Sequence, residues 1–441
     1  MMRSALILLV PALLQAQLPA DTGARPISLD EAITLARRNA PLAVQARGQL
    51  RSSAASVRSA YLAFIPSLDV SLASAFSEGD RFDAIRQEFV RASSWQYSDG
   101  LSARVEIFAG GRRWHDLKRA KAESNAAEAN AVLQDFAVSL NVKQEFFNVL
   151  AARELQDAAR AQLEQAEQQL RVAVARVAAG AATKSDSLRS LVQVGNARLA
   201  LLNAGNALRT ANAALTRLVA TPFVVTAAPE AELESVEVAL DSAALAGLAE
   251  TGPAVTEAQA QVAAARAAGR AARTPYLPTI SASFNRSGNG GDPYFGNGDE
   301  RFSYNNRLVF SASYPLFNQF QREEQAVRAS VAEDNAQAAL RDARFRARQD
   351  LVEHLGAVNT SAQRIEIQLT SVAAAEEDLR VQQQRYALGA STLLDVLTSQ
   401  TQLNQARADL IQARYDYRIA RARLEALIGR DLDAVTAGPG Q

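Results

Sequence analysis

Two threonine–aspartate pairs, Thr183/Asp186 and Thr392/Asp395, each follow a glycine, Gly180 or Gly389, by the same spacing. A hydroxyl followed three residues later by a carboxylate has capping-box spacing, in which side chains satisfy free backbone N–H groups where a helix begins. The glycine ahead of each pair suits the left-handed residue that ends the preceding helix. Other reactive groups are scarce. The chain has no Cys and only two His, His115 and His354, both among polar neighbours and read as surface residues. A thiol nucleophile, a disulfide and the usual Cys/His zinc sites are therefore excluded. No nucleophile–base set, phosphate loop or metal cluster is legible, so no enzyme activity, metal or cofactor is expected.

The elements that must carry these pairs emerge from composition. The 441 residues are 48% hydrophobic but only 6% aromatic, and 47 basic side chains balance 47 acidic ones. Zero net charge gives no support for a nucleic-acid partner. The hydrophobic content excludes a disordered chain. At the N-terminus, Arg3, the apolar run from Ala5 to Leu14 and the small-residue site at Leu14-Gln15-Ala16 read as an export signal over residues 1–16. That run is far short of the ~20 residues a spanning helix needs. An exported chain that enters a membrane must then do so through strands or an amphipathic surface.

Aromatics and prolines are unevenly placed. Of the 27 aromatic residues, 19 fall in the windows 61–114 and 276–320. Between Pro66 and Pro222, and again between Pro315 and Pro439, no proline occurs. These proline-free stretches are rich in Ala, Leu, Gln, Arg and Glu, which predicts long helices over Arg112–Ala178 and Gln321–Ala387, on the order of 100 Å each. Leu155, Leu163, Leu170, Val174 and Val177, like Leu369, Val372, Leu379 and Tyr386, form a narrow seam as in a coiled coil. The aromatic windows alternate instead. Phe302, Tyr304, Leu308, Phe310 and Tyr314 share one face, opposite Ser303, Asn305, Arg307 and Ser311. Each window is read as two strands of roughly ten residues joined by a polar loop, at 77–94 and 285–301, as in a transmembrane barrel.

The whole pattern occurs twice. Leu170 through Asp186 recurs as Leu379 through Asp395, and from Phe108/Phe317 to Leu218/Leu427 the offset stays at 209 positions without a gap. Upstream, Pro41 pairs with Pro253 and Ile65-Pro66 with Leu277-Pro278. Each repeat reads helix, strand, strand, long helix, turn, helix, with a first helix over about residues 29–64 and a last one over about 183–219. The domain reading is a leader at 1–16, a segment at 17–27, repeats at 28–221 and 239–430, a linker at 222–238 and a tail at 431–441. Four strands are too few to close a barrel, and open edges cannot stay in lipid, so closure requires several chains.

The repeat order, the opening Ile27-Ser28-Leu29-Asp30-Glu31-Ala32 with Asn39 and Pro41, the strand exit Phe108-Ala109-Gly110-Gly111, and Tyr386-Ala387-Leu388-Gly389 through Leu394-Asp395-Val396-Leu397 resemble the TolC-type outer membrane efflux proteins. The resemblance covers nearly the whole mature chain. It implies a mainly α fold, with long antiparallel coiled-coil helices forming an α-barrel tunnel. The four strands of each chain would join a trimeric twelve-stranded β-barrel. It also implies an outer-membrane homotrimer with a large periplasmic part. By the same resemblance the duct would be passive, in an efflux or type I secretion system driven by an inner-membrane transporter through a periplasmic adaptor. The tips at Gly180 and Gly389 would meet the adaptor, Asp395 would form an acidic ring on the pore axis, and Tyr386 would latch the entrance by bonding to Asp186 or its neighbourhood. Where relatives place a second acid and a tip arginine, this chain has Thr398 and Ser391, which argues against a double ring and implies a looser or differently held entrance. The face with Phe302, Tyr304, Leu308, Phe310 and Tyr314 would meet outer-membrane lipid, with Tyr304 or Tyr314 near an interfacial girdle. The competing reading is a periplasmic coiled-coil scaffold or adaptor that never enters the bilayer.

Overall fold

A computed structural model describes residues 24–83, 87–229, 242–291 and 302–432. The leader, residues 239–241 at the start of the second repeat and the tail beyond residue 432 lie outside the described residues. In chain order the elements are β1 (Arg25–Ile27), α1 (Leu29–Asn39), α2 (Pro41–Leu62), β2 (Ser67–Asp83), β3 (Glu88–Ala109), α3 (Arg112–Ala178) and α4 (Lys184–Val219). Then follow β4 (Val225–Ala227), α5 (Ser242–Glu250), α6 (Pro253–Ala272), a 3-10 turn (Thr274–Tyr276), β5 (Thr279–Gly291), β6 (Phe302–Ser313), α7 (Gln321–Ala387) and α8 (Leu393–Ile428). Both long helices run 67 residues, and α4 and α8 run 36 each.

Three expectations need correction. The first helix of each repeat is broken. Ala40 leaves the helical region with ψ 138 because the ring of Pro41 crowds the residue before it, so α2 starts afresh. Gly252 and Pro253 separate α5 from α6 in the same way. The first hairpin is also longer than expected, with strands of 17 and 22 residues against 13 and 12 in the second. Residues 77–81 are polar or Gly on both faces and only Phe82 beyond them is apolar, which hides the period-two signal. They pair nonetheless, and Arg91 bridges to Glu78 at 3.0 Å across the ribbon. Likewise β5 continues through Gly291, into what reads as loop.

Contacts divide the chain into two compact units. One comprises Met1–Ala40, Asn141–Val236 and Ser361–Ile419. Here β1 pairs in parallel with β4, and Ile27, Val225 and Ala227 are buried. Ser28 caps α1 by accepting from the backbone N of Glu31 at 3.2 Å, and Arg153 on α3 donates to Thr226 at 2.7 Å. These two strands escape sequence reading because three residues are too few to show alternation.

The other unit comprises Pro41–Leu140, Glu237–Thr360 and Ala420–Gln441. It holds an antiparallel sheet of order β2-β3-β5-β6, with a bulge between Glu106 and Phe108, which leaves β2 and β6 as edges. Register determines its two faces. Val70 faces Leu101, Leu68 faces Ala103, Ala103 faces Phe284 and Phe284 faces Leu308, so apolar side chains align across all four strands. The opposite face carries Ser71, Gly100, Ser102, Asn285, Ser287, Asn305 and Arg307. Tyr304, Leu308, Phe310 and Tyr314 are 50% to 67% exposed, Tyr314 lying just past the end of β6. The side chain of Phe302 lies outside what is described. No helix among the described residues is long and apolar enough to cross a membrane.

Candidate functional site

The site is built on two helical hairpins, α3/α4 and α7/α8. In the first, Ala166, Val194 and Ala197 are buried together with Leu163 and Leu170 against them. In the second, Leu379, Val396 and Leu403 pack with Val372, Ala375 and Tyr386. Ala166/Ala375, Val194/Leu403, Leu163/Val372 and Leu170/Leu379 are pairs at the repeat offset, so one seam is built twice. An ion pair is duplicated with it: Arg198 to Glu167 at 3.6 Å, and Arg407 to Glu376 at 2.7 Å.

At each tip the long helix ends in a Schellman turn. Gly180 donates to the carbonyl of Val177 at 3.0 Å and Ala181 to that of Arg176 at 2.8 Å; Gly389 and Ala390 do the same to Tyr386 at 3.1 Å and Arg385 at 2.8 Å. Their φ values, 72 and 74, lie in the left-handed region where a Cβ would strain the chain. The return helix then starts on its capping box. Asp186 Oδ2 accepts from the backbone N of Thr183 at 3.0 Å and from its hydroxyl at 2.8 Å. Asp395 Oδ2 accepts from the backbone N and hydroxyl of Thr392, both at 2.8 Å.

These bonds favour the ionised carboxylate. The Thr183 hydroxyl first, then its backbone N–H, and further Arg189 and Arg176, hold Asp186 below its ordinary pKa. For Asp395 the backbone N–H of Thr392 leads, followed by the hydroxyl and then Arg385. Each tip therefore presents a fixed negative charge, exposed at Asp395 and half-buried at Asp186.

Tyr386 is half-buried against Leu379 and Val396. Among the described residues it makes no hydrogen bond to Asp186. Its partner is instead Arg176, whose guanidinium lies 4.6 Å from the ring centroid and donates to the Tyr386 carbonyl at 3.4 Å. Arg176 also acts electrostatically on Asp186, so the contact falls in that neighbourhood. Sequence reading passes over this arginine, although it stands in the repeated motif with Arg385 as its counterpart. Ser391 donates to the carbonyl of Gln382 at 3.3 Å, and Thr398 to that of Leu394 at 2.9 Å; both hydroxyls serve the hairpin backbone.

The two hairpins are joined further up by polar contacts. Gln165 and Gln400 exchange bonds of 2.5 and 2.9 Å, and the Tyr415 hydroxyl donates to Glu154 at 2.5 Å. His115 and His354 are half-buried on α3 and α7 rather than fully on the surface. Among the described residues no group of three His, Asp or Glu could hold a metal.

The chain combines a four-stranded sheet with one apolar face and duplicated helical hairpins with acidic tips, and its sequence matches the class of outer-membrane channels. The chain belongs to the outer membrane efflux protein family, whose model matches residues 32–221 and 247–430. It is 29% identical over 340 residues to the pyoverdine export outer membrane protein OpmQ of Pseudomonas aeruginosa, covering 76% of this chain and 68% of OpmQ. Its fold is similar to that of the CmeC outer membrane channel of Campylobacter jejuni, with TM-score 0.74, 16% identity and coverage of 91% and 85%. It is likewise similar to the outer membrane protein VceC of Vibrio cholerae, with TM-score 0.71, 18% identity and coverage of 92% and 96%. The protein is thus an outer-membrane efflux channel, and the reading as a scaffold that never enters the bilayer is set aside.

Proposed function

We propose that three copies assemble into a passive exit duct of a tripartite efflux or type I secretion system, loaded by an inner-membrane transporter through a periplasmic adaptor. The unpaired edges β2 and β6 carry this reading, since an open sheet with an apolar face is stable in lipid only when other copies complete it. The tips at Gly180 and Gly389 meet the adaptor. Asp395, repeated by symmetry, forms a ring of carboxylates that attracts cations, and Tyr386 with Asp186 belongs to the entrance. The face of Phe302, Tyr304, Leu308, Phe310 and Tyr314 contacts lipid. The name of OpmQ supports a small exported metabolite as cargo. Native mass measurement in detergent combined with planar-bilayer recording tests the duct. A mass of three protomers with stable conductance is expected; a monomer without conductance overturns it.

A further inference from the structure

We infer that the start of α3, next to the sheet, holds the phosphate headgroup of an anionic phospholipid on the ammonium groups of Lys118 and Lys121, once per chain. This rests on the lipid-facing sheet face proposed above. Lysine is rare here: Lys118, Lys121, Lys143 and Lys184 are the only four in the chain, and two of them stand within one turn of α3. From 112 to 121 the chain carries five Lys or Arg against a single acid, Asp116. The arginines of this stretch are already committed. Arg112 bonds to Glu106 at 2.6 Å, Arg113 donates to the carbonyls of Ala63 and Ile107 at 3.2 Å each, and Arg119 reaches Asp116 at 3.5 Å. Among the described residues neither Lys118 nor Lys121 is paired with a carboxylate. Each lies over an exposed ring instead, Lys118 at 5.3 Å from the centroid of Trp114 and Lys121 at 4.9 Å from that of Tyr61.

Two features set these ammonium groups at headgroup level on the lipid side. At 3.6 residues per turn, Trp114, Lys118 and Lys121 stand about 120–180° round α3 from Arg112. Arg112 is tied to Glu106, which lies on the polar face of the sheet with Ser281 and Ser311. The lysine stripe therefore continues the apolar face, whose margin runs through the exposed Tyr61, Phe64 and Ile65 to Leu68 of β2. Helical side chains also tilt toward the helix N-terminus, and the N-terminus of α3 is its sheet end. Both ammonium groups thus reach back toward the bilayer along their own apolar stems, where an anionic headgroup is the available counter-charge.

The second repeat separates what builds the fold from what is added to it. Arg113 over Phe64 at 5.1 Å recurs as Arg322 over Tyr276 at 5.0 Å, so this clasp serves both junctions of helix and sheet. Where repeat one has Trp114, Lys118 and Lys121, repeat two has Glu323, Val327 and Ser330, and residues 321–330 balance two Arg with two Glu. The lysines are therefore not needed to join a long helix to its strand. A diacyl lipid of net negative charge answers both halves of the site, its phosphate on the lysines and its chains along the adjoining apolar face.

Only two Trp occur, so Trp95→Phe leaves Trp114 as the reporter. The full-length protein is placed in phosphatidylcholine vesicles doped with brominated phosphatidylglycerol or, at the same fraction, brominated phosphatidylcholine. Trp114 is expected to be quenched more by the anionic lipid, with about fivefold enrichment per lysine, and less so as salt rises. Lys118→Gln/Lys121→Gln should bring the two lipids to parity, and Lys118→Arg/Lys121→Arg should retain the preference. Lys143→Gln/Lys184→Gln, which removes the same charge elsewhere, should leave it unchanged. Equal quenching in the parent, or a preference that survives Lys118→Gln/Lys121→Gln, overturns the headgroup site and leaves the lipid-facing sheet standing. Loss of the preference on adding inorganic phosphate at constant ionic strength overturns it in favour of free phosphate. No quenching by either lipid in channels that conduct sinks this inference alone; no quenching and no conductance sinks the duct with it.

Discussion

The guanidinium of Arg176 lies 4.6 Å over the ring of Tyr386 and ties the end of α3 to the end of α7. Its counterpart Arg385 donates instead to the carbonyl of Ala390 at 3.4 Å, within its own tip. The same residue at the same repeat position thus joins two hairpins in one case and steadies one in the other, because the ring exists only at position 386; position 177 is Val.

The ring rather than the hydroxyl makes this contact. Tyr386→Phe is expected to leave single-channel conductance close to that of the parent. Tyr386→Ala and Arg176→Ala each remove about 1 kcal/mol, roughly a fivefold shift toward a wider entrance, visible as larger or more frequent openings. A Tyr386→Phe channel as open as Tyr386→Ala would show that the hydroxyl matters instead.

The tips should respond to acid late. An acid whose pKa is depressed by folding adds stability that is full above its unfolded value and is lost as pH falls through the folded one. The backbone amides of Thr183 and Thr392, which donate to Asp186 and Asp395, should keep their protection from about pH 7 to about pH 5. They should lose it only below the ordinary value of 3.8. Hydrogen exchange corrected for intrinsic rate measures this, and Asp186→Asn with Asp395→Asn should abolish the step.

Apolar seams, not ion pairs, should hold the hairpins. Leu403 is 3% exposed, and Leu403→Ala is expected to cost about 2–5 kcal/mol. The coupling of Arg407 to Glu376, whose side chains are 45% and 49% exposed, should stay below about 1 kcal/mol in a double-mutant cycle and shrink with salt. Denaturation of the detergent-solubilised protein compares them; equal costs would refute the ranking.

The two faces of β6 should differ in tolerance. Phe310→Arg on the apolar face is expected to cost about 2–4 kcal/mol in phospholipid vesicles, and Ser303→Arg on the polar face about 0–1 kcal/mol. Urea unfolding in vesicles reads the difference, and equal tolerance would place neither face against lipid.

The helices are legible because proline is absent and Ala, Leu and Arg are dense; their ends at Ala178 and Ala387 are marked by the glycines that follow. The strands are legible only where one face is apolar, which is why the pairing of residues 77–83 reads as loop. The capping role of both aspartates follows from spacing alone. The Arg176–Tyr386 contact does not, because it joins residues 210 positions apart and depends on how two hairpins meet. The breaks at Ala40 and Gly252 are announced by the prolines after them, but helix propensity on either side masks the signal.

The unequal hairpins leave one of them projecting beyond the sheet. Pairing of β3 with β5 stops at Gln96, while β2 and β3 remain paired as far as Asp83 and Glu88. A two-stranded ribbon of about 8 residue pairs, roughly 25 Å long, therefore extends past the four-stranded sheet once per copy. Phe82 and Phe89 meet edge to face near its end, with centroids 5.3 Å apart. An epitope tag or fluorophore at that end tests which side the ribbon faces: labelling of intact cells is expected, and labelling only after the outer membrane is permeabilised would refute it.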